Sequence, residues 1–308
     1  MSIARKCSFV GIAAVLFLSA GGAVTAGEKA PEPLFRTEVL ADGVFAIQGP
    51  GGTVTLVETS EGALLVDASV SQLADRLLET VRTLTKSPIR WLVNTHLHPD
   101  HVGGNARIEK EGAKIIAHAS VRKRLLAQQA KLPPADRGGL PTLLLGEENG
   151  NAKARLTLWL GGVEILLDHA GAGHTDGDVV LWLPGKKVLI MGDLLFSRIL
   201  PFLDTEAGST LPGYIRNVQA AIALASPDAR VVPGHGPLTD LAGLRRSVEF
   251  LQAAEAHVKA HPKTTPAKLA ESFDRSKWKE IEQMEGFVSW ESFFRGASGQ
   301  GLGRVDEK

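Results

Sequence analysis

Cysteine is almost absent from this chain: 308 residues contain one, Cys7, and it lies ahead of a short apolar stretch near the N-terminus. Once that segment is removed no disulfide can form, and stability must come from the core, helped by bound metal. Net charge is absent too, since 34 Lys and Arg balance 34 Asp and Glu. No overall positive field draws in nucleic acid, which counts against a nuclease and leaves only a local basic patch as a route to one. Long apolar runs are missing as well. Residues 9–20 are apolar but short for a membrane span. With Arg5 and Lys6 before them and small residues up to Ala26 after them, residues 1–26 read as a signal peptide. The expectation is export to the periplasm or beyond, with no stable membrane span after processing; an uncleaved anchor is the competing reading.

What is present is a run of short apolar segments separated by glycine-rich turns. Residues 27–34 form a flexible leader. Strands are expected over 44–48, 53–59, 63–67, 89–94 and 114–117, and again over 155–160, 163–167, 179–183, 187–191 and 230–232. Helices are expected from Ser71, with Leu73, Leu77, Val81 and Leu84 on one face, and over 120–131, 212–225 and 241–260. Residues 133–145, interrupted by Pro and Gly, make a candidate pocket rim. Two successive groups of strands then helices imply an α+β fold in which two sheets pack face to face with helices outside each. No convincing linker divides the chain. Residues 35–260 therefore read as one catalytic domain, and 261–308 as a helical extension packed on it, aromatic and helical from Trp278 to Phe294.

The chemistry is concentrated at strand ends. His96-Leu97-His98-Pro99-Asp100-His101 follows the strand at 89–94 directly. Alternate residues of an extended segment face the same way, so His96 and His98 can share a target while a turn aims Asp100 and His101 at a neighbouring point. That spacing suits two adjacent metal ions better than one closed structural site. His174, Asp193 and His235 each stand just past another apolar strand, beside glycines that permit tight turns. Alone, each has an ordinary structural explanation, a loop histidine or a capping aspartate; together with the His96–His101 cluster they converge on a metal centre. His118, His169, His257 and His261 lack such company. His118 and His169 read as structural, and His257 and His261 as solvated.

In order and spacing, His96, His98, Asp100, His101, His174, Asp193 and His235 resemble the ligand set of the metallo-β-lactamase fold superfamily over residues 44–260. The resemblance implies an αββα sandwich of two mixed β-sheets. It implies that His96, His98 and His174 hold a first metal, that Asp100, His101 and His235 hold a second, and that Asp193 bridges both. Lactamases with a cysteine ligand have it where this chain has Asp193, so the set is more similar to glyoxalase II-like thioesterases and lactonases.

Two zinc ions, with iron or manganese as other occupants, would then supply activated water for attack on a carbonyl, with Asp100 as the catalytic proton carrier. Asp168, Thr175 and Asp178 are the expected outer partners of the imidazoles. The implied partner is a small molecule with a hydrolysable ester, thioester, lactone or lactam carbonyl. A phosphodiesterase or nuclease, an iron-dependent redox enzyme and a non-catalytic metal-binding protein are the alternatives. Oligomeric state is left open.

Overall fold

In a computed structural model describing residues 33–148, 150, 152–283 and 288–299, the first half of the chain lays down one sheet and the helices that cover it. In order these are β1 (Arg36–Ala41), β2 (Val44–Gln48), β3 (Val54–Thr59), β4 (Gly62–Val66), α1 (Ala74–Leu84), β5 (Ile89–Val93), α2 (Pro99–Val102), α3 (Asn105–Glu109), β6 (Lys114–His118), α4 (Ala119–Gln129) and β7 (Leu143–Leu145). Short turns make β1 to β4 antiparallel neighbours. The longer helical returns then place β5, β6 and β7 parallel to β4. The second half supplies β8 (Ala154–Leu160), β9 (Val163–His169), β10 (Val180–Leu183), β11 (Val188–Ile190), α5 (Leu211–Leu224), β12 (Arg230–Val232), β13 (Thr239–Asp240), α6 (Leu241–Ala260), α7 (Pro266–Ser272) and α8 (Trp290–Ala297). Its sheet runs in the order β13-β12-β11-β10-β9-β8 and is antiparallel except where β11 pairs with β12.

The two-residue period of the strands sorts apolar side chains into layers. In β4, Leu64 and Val66 enter the core between the sheets, whereas Ala63 and Leu65 pack outward with Leu77, Leu78 and Val81 of α1 and Ile108 of α3. In β10, Leu181 and Leu183 meet the same central core, whereas Val180 and Trp182 face outward to α5, α6 and α8. Helix, sheet, sheet, helix is the result, an αββα sandwich of two mixed sheets. The inner strands β4, β10 and β11 are buried on both faces and read as continuous apolar runs, whereas the outer strands β1 and β8 are largely exposed on one face or more.

Several segments differ from the sequence expectation. β1 begins at Arg36, and the apparent rim at 133–145 contains β7, an edge strand whose Leu143 and Leu144 are exposed. Trp182 is part of the outer core under α5, α6 and α8. The aromatic stretch from Trp278 is not one helix. The main chain of Glu282 is tied to Arg198 and Leu200 at 3.0 and 2.7 Å, which holds it extended, and α8 starts only at Trp290 behind a capping box made by Ser289 and Ser292. His257 is half-buried rather than solvated: its ring lies 5.4 Å from Phe273 and 5.6 Å from Phe294, and Nε2 meets the Leu269 carbonyl at 3.1 Å. No helix among the described residues is long and apolar enough to cross a membrane. The signal segment at 1–26 lies outside the described residues.

His118 is structural, as expected, and carries a pH signature. Its Nδ1 accepts the Ser120 N–H at 3.2 Å and caps α4, while its ring stacks on His169 at 3.9 Å. Burial, then the neighbouring His169, pushes its pKa down to about 4. The unfolded chain takes up this proton near pH ~6.5 and the folded chain only near the lower value, so stability is complete above the unfolded pKa and lost as pH falls between the two. Asn at this position keeps a capping oxygen without a titrating ring. Urea unfolding of metal-free protein at pH 7 and pH 5 should therefore show a smaller acid loss for His118→Asn than for the parent; equal losses would exclude this role.

Candidate metal centre

Every polar residue of the centre emerges where a core strand ends. β5 runs out through Asn94 and Thr95 into His96 and His98, and Pro99 at the first helical position starts the single turn of α2 that carries Asp100 and His101. His174 follows β9, Asp193 sits in a 3₁₀ turn after β11, and His235 follows β12. Thr53 N–H donates to the Gly234 carbonyl at 2.8 Å, which ties the loop before β3 to the loop of His235. Gly234 has to be glycine: a Cβ there would stand 2.0 Å from Asp193 Oδ1.

The seven residues meet as two adjoining groups, His96, His98, His174 and Asp193 in one and Asp100, His101 and His235 in the other. In the first group His98 Nδ1 lies 3.1 Å from His96 Nε2 and 3.0 Å from His174 Nε2. Asp193 Oδ2 is 3.6 and 3.5 Å from those two Nε2 atoms. In the second group Asp193 Oδ1 is 3.1 Å from His101 Nε2 and 3.4 Å from His235 Nε2, and Asp100 Oδ2 is 3.2 Å from His235 Nε2. Each oxygen of Asp193 thus faces a different group.

The outer ring nitrogens show which inner ones are free of protons. His101 Nδ1 of the second group reaches Asp67 Oδ2 at 2.7 Å. In the first group His96 Nδ1 reaches Thr95 Oγ1 at 3.0 Å, His98 Nε2 reaches Asp204 Oδ2 at 2.9 Å and His174 Nδ1 donates to the Phe202 carbonyl at 2.9 Å. An outward N–H leaves the inward nitrogen as a bare acceptor. As bare acceptors, His98 Nδ1 and the His96 and His174 Nε2 atoms at 3.1 and 3.0 Å from it cannot hydrogen-bond. Donors around a tetrahedral ion with bonds of about 2.0–2.1 Å sit about 3.3 Å apart, so these separations fit a cation. His101 Nε2 and Asp193 Oδ1 are buried with no hydrogen-bond partner, a second mark of an ion site.

Those partners correct the sequence reading. Asp168 pairs with Arg155 at 2.7 Å, away from the ligand rings. Thr175 and Asp178 bind each other, Oγ1 to Oδ1 at 2.6 Å, and shape the loop of His174; the imidazole that Asp178 meets is that of His169, through its main-chain carbonyl at 2.7 Å. Asp67 and Asp204 were not singled out as partners. Asp67 had a usable signal, since it too stands directly after an apolar strand, but Asp204 is joined to His98 across 106 positions. Tyr214 was also missed; buried in α5, it donates to the Asp193 carbonyl at 2.5 Å.

Without metal the centre is a proton trap. Burial alone would raise the Asp193 carboxyl, but His235, His101 and His96 around it hold it well below the usual range. Burial works against a charged His101, yet Asp193 and Asp67 outweigh it and raise that imidazole well above its ordinary value. His235 rises to about 9 for the same reason, with burial overcome by Asp193 and Asp100. His96 and His174 go the other way: burial holds His96 well below its ordinary value and His174 down at about 4. His96 and His174 are therefore ready to bind a cation, whereas His101 and His235 must shed protons to do so.

A family model described as the metallo-beta-lactamase superfamily matches residues 47–235, the span that contains all seven residues. The chain belongs to this superfamily. It is a metal-dependent hydrolase by membership. A metallo-beta-lactamase type 2 from Bacillus cereus is 26% identical over 211 residues, covering 68% of this chain and 77% of that protein. A solved metallo-beta-lactamase from Pontibacter korlensis superposes with a TM-score of 0.59 at 25% identity, over 71% of this chain and 99% of that one. The stereoselective inverting sec-alkylsulfatase Pisa1 from Pseudomonas sp. shares the fold more extensively, with a TM-score of 0.67 at 15% identity over 88% of this chain and 50% of that one.

Two outcomes are expected at this centre. Titrating zinc into metal-free protein at pH 7 should release about two protons, from His101 and His235, so the apparent affinity falls as pH drops; zinc uptake without proton release would contradict the charged state assigned to them. Asp193→Ala should lower zinc affinity and turnover together by more than about a hundredfold, because losing an outer partner alone costs about 10–100-fold. Two tightly bound ions and full turnover in that variant would refute a bridging carboxylate.

Proposed function

We propose that the chain is an exported hydrolase that holds two zinc ions at this centre and cleaves a small substrate at an ester, thioester, lactone or lactam carbonyl. The observation that carries this reading is the division of Asp193, one oxygen towards His96 and His174 and the other towards His101 and His235. His96, His98 and His174 would hold one ion, Asp100, His101 and His235 the other, and Asp193 both. Bound there, the pair supplies Lewis acidity and a water of pKa near ~7. Iron or manganese also suits imidazole and carboxylate donors, and metal analysis of protein purified without added zinc distinguishes them.

The chain's own residues do the rest. Asp100 is the most exposed of the ligand carboxylates, at 29% against 4% for Asp193. It is the group placed to take a proton from the attacking water and return it to the leaving group. Phe196 stacks on His235 at 5.1 Å and Phe202 stands 5.9 Å from His98, so apolar rings flank the reacting carbonyl and limit water. Residues 35–260 serve as the catalytic domain, with 261–308 as the extension. Export rests on the charged and apolar pattern of residues 1–26. Carboxylate at Asp193 favours thioesters and lactones over lactams, although the Bacillus cereus relative bears the name of a lactamase.

A chromogenic panel of lactams, lactones, thioesters and phosphodiesters on zinc-loaded protein tests the assignment. At least one carbonyl class should be hydrolysed, lost on chelation and restored by zinc. Cleavage of phosphodiesters alone would replace this reading with the phosphodiesterase alternative.

A further inference from the structure

Of the five imidazoles at the centre, His98 alone turns Nδ1 inward; His96, His101, His174 and His235 present Nε2. Its proton therefore sits on Nε2, which points to Asp204 Oδ2 at 2.9 Å. Asp204 is itself held. Its Oδ1 accepts the Ala207 N–H at 3.0 Å and its carbonyl accepts the Ser209 N–H at 2.9 Å. Leu203 beside it is buried under α8, where Gly296 lies so near that a Cβ would stand 2.8 Å from Leu203 Cβ. On the other side, Arg124 of α4 donates to the Glu206 carbonyl at 3.3 Å and forks onto Asp176, two residues past His174, at 2.9 and 2.7 Å. The loop that carries Asp204 is thus clamped between α4 and a helix beyond the span matched to the superfamily.

We propose that Asp204 is a positioning residue of the first metal triad, fixing the tautomer and the aim of His98, with α8 seating it through Leu203. The inference rests on the two-metal reading above. A carboxylate suits the task because both oxygens are used as acceptors, one for His98 and one for Ala207. Asn offers one acceptor and one donor, so it can satisfy only one of the two N–H groups.

The test measures zinc affinity of the full-length chain by competition with a chromophoric chelator. Asp204→Asn and Asp204→Ala are placed in a His235→Ala background, which isolates the first triad, and in a His174→Ala background, which isolates the second. In the first background each should weaken zinc binding about 10–100-fold. In the second the effect should be about twofold or less, as for independent sites. The melting temperature of the metal-free single variants shows whether the fold is intact. No loss in the first background, or equal loss in both, would overturn the proposal, the latter marking Asp204 as a loop scaffold only. A parent chain that holds one ion would end the two-metal reading while the Asp204 comparison still runs in the unsubstituted background; a chain that holds none would end both.

Discussion

Three unprotonated imidazole nitrogens, with that of His98 only 3.1 and 3.0 Å from those of His96 and His174, are an arrangement that repels itself in the absence of a cation. Their outward N–H groups are committed to Thr95, Asp204 and Phe202, so no tautomer change relieves the contact. Burial removes the remaining escape, hydration, since His96 and His174 are at most 1% exposed. The scaffold must therefore be stiff enough to keep the donors together, and its layers provide that stiffness. Strands β4 and β11 are buried throughout and β5 and β12 end in buried residues, so the segments after them have little freedom to spread.

Asp193 joins the two halves of the centre as the interface of the two sheets joins the two halves of the chain. Its carboxylate balances the imidazoles on both sides, and its main-chain carbonyl is fixed from behind by Tyr214. The first group comes from strand ends in both sheets, His96 and His98 from one and His174 and Asp193 from the other. Separation of the sheets would dismantle it. The apolar core between them, with Leu64, Val66, Leu181 and Ile190, is thus part of the metal site's support.

Outer hydrogen bonds extend that support in opposite directions. Asp67, at the end of β4, accepts from His101 and from Thr95, and Thr95 in turn meets His96, so one carboxylate steadies both groups from the first sheet. The segment 201–209 does the same from the second sheet, reaching His98 and His174. Beneath it, Leu203 and α8 share one core with Phe250, Trp290 and Phe294, which makes the C-terminal residues continuous with the centre in packing terms.

The αββα layering was legible in the chain because the strands are short continuous apolar runs with glycine turns, and the seven donors because each follows such a run. Composition carried the absence of disulfides and of a net positive field. The outer partners of the donors were not legible: Asp168 and Asp67 both close an apolar run in the sequence, yet Asp168 lies within β9 and pairs across the sheet with Arg155, whereas Asp67 stands past the end of β4 and meets His101 of α2. Nor could local pattern reveal that the chain turns after Trp278 and is held as a bridge at Glu282, since the tie to Arg198 and Leu200 joins distant segments. Period and punctuation are encoded within a few residues and determined the elements and the donor set. Which ring nitrogen turns inward, and which acidic group holds it, depends on contacts across as many as 106 positions, and only the packed sheets decide those.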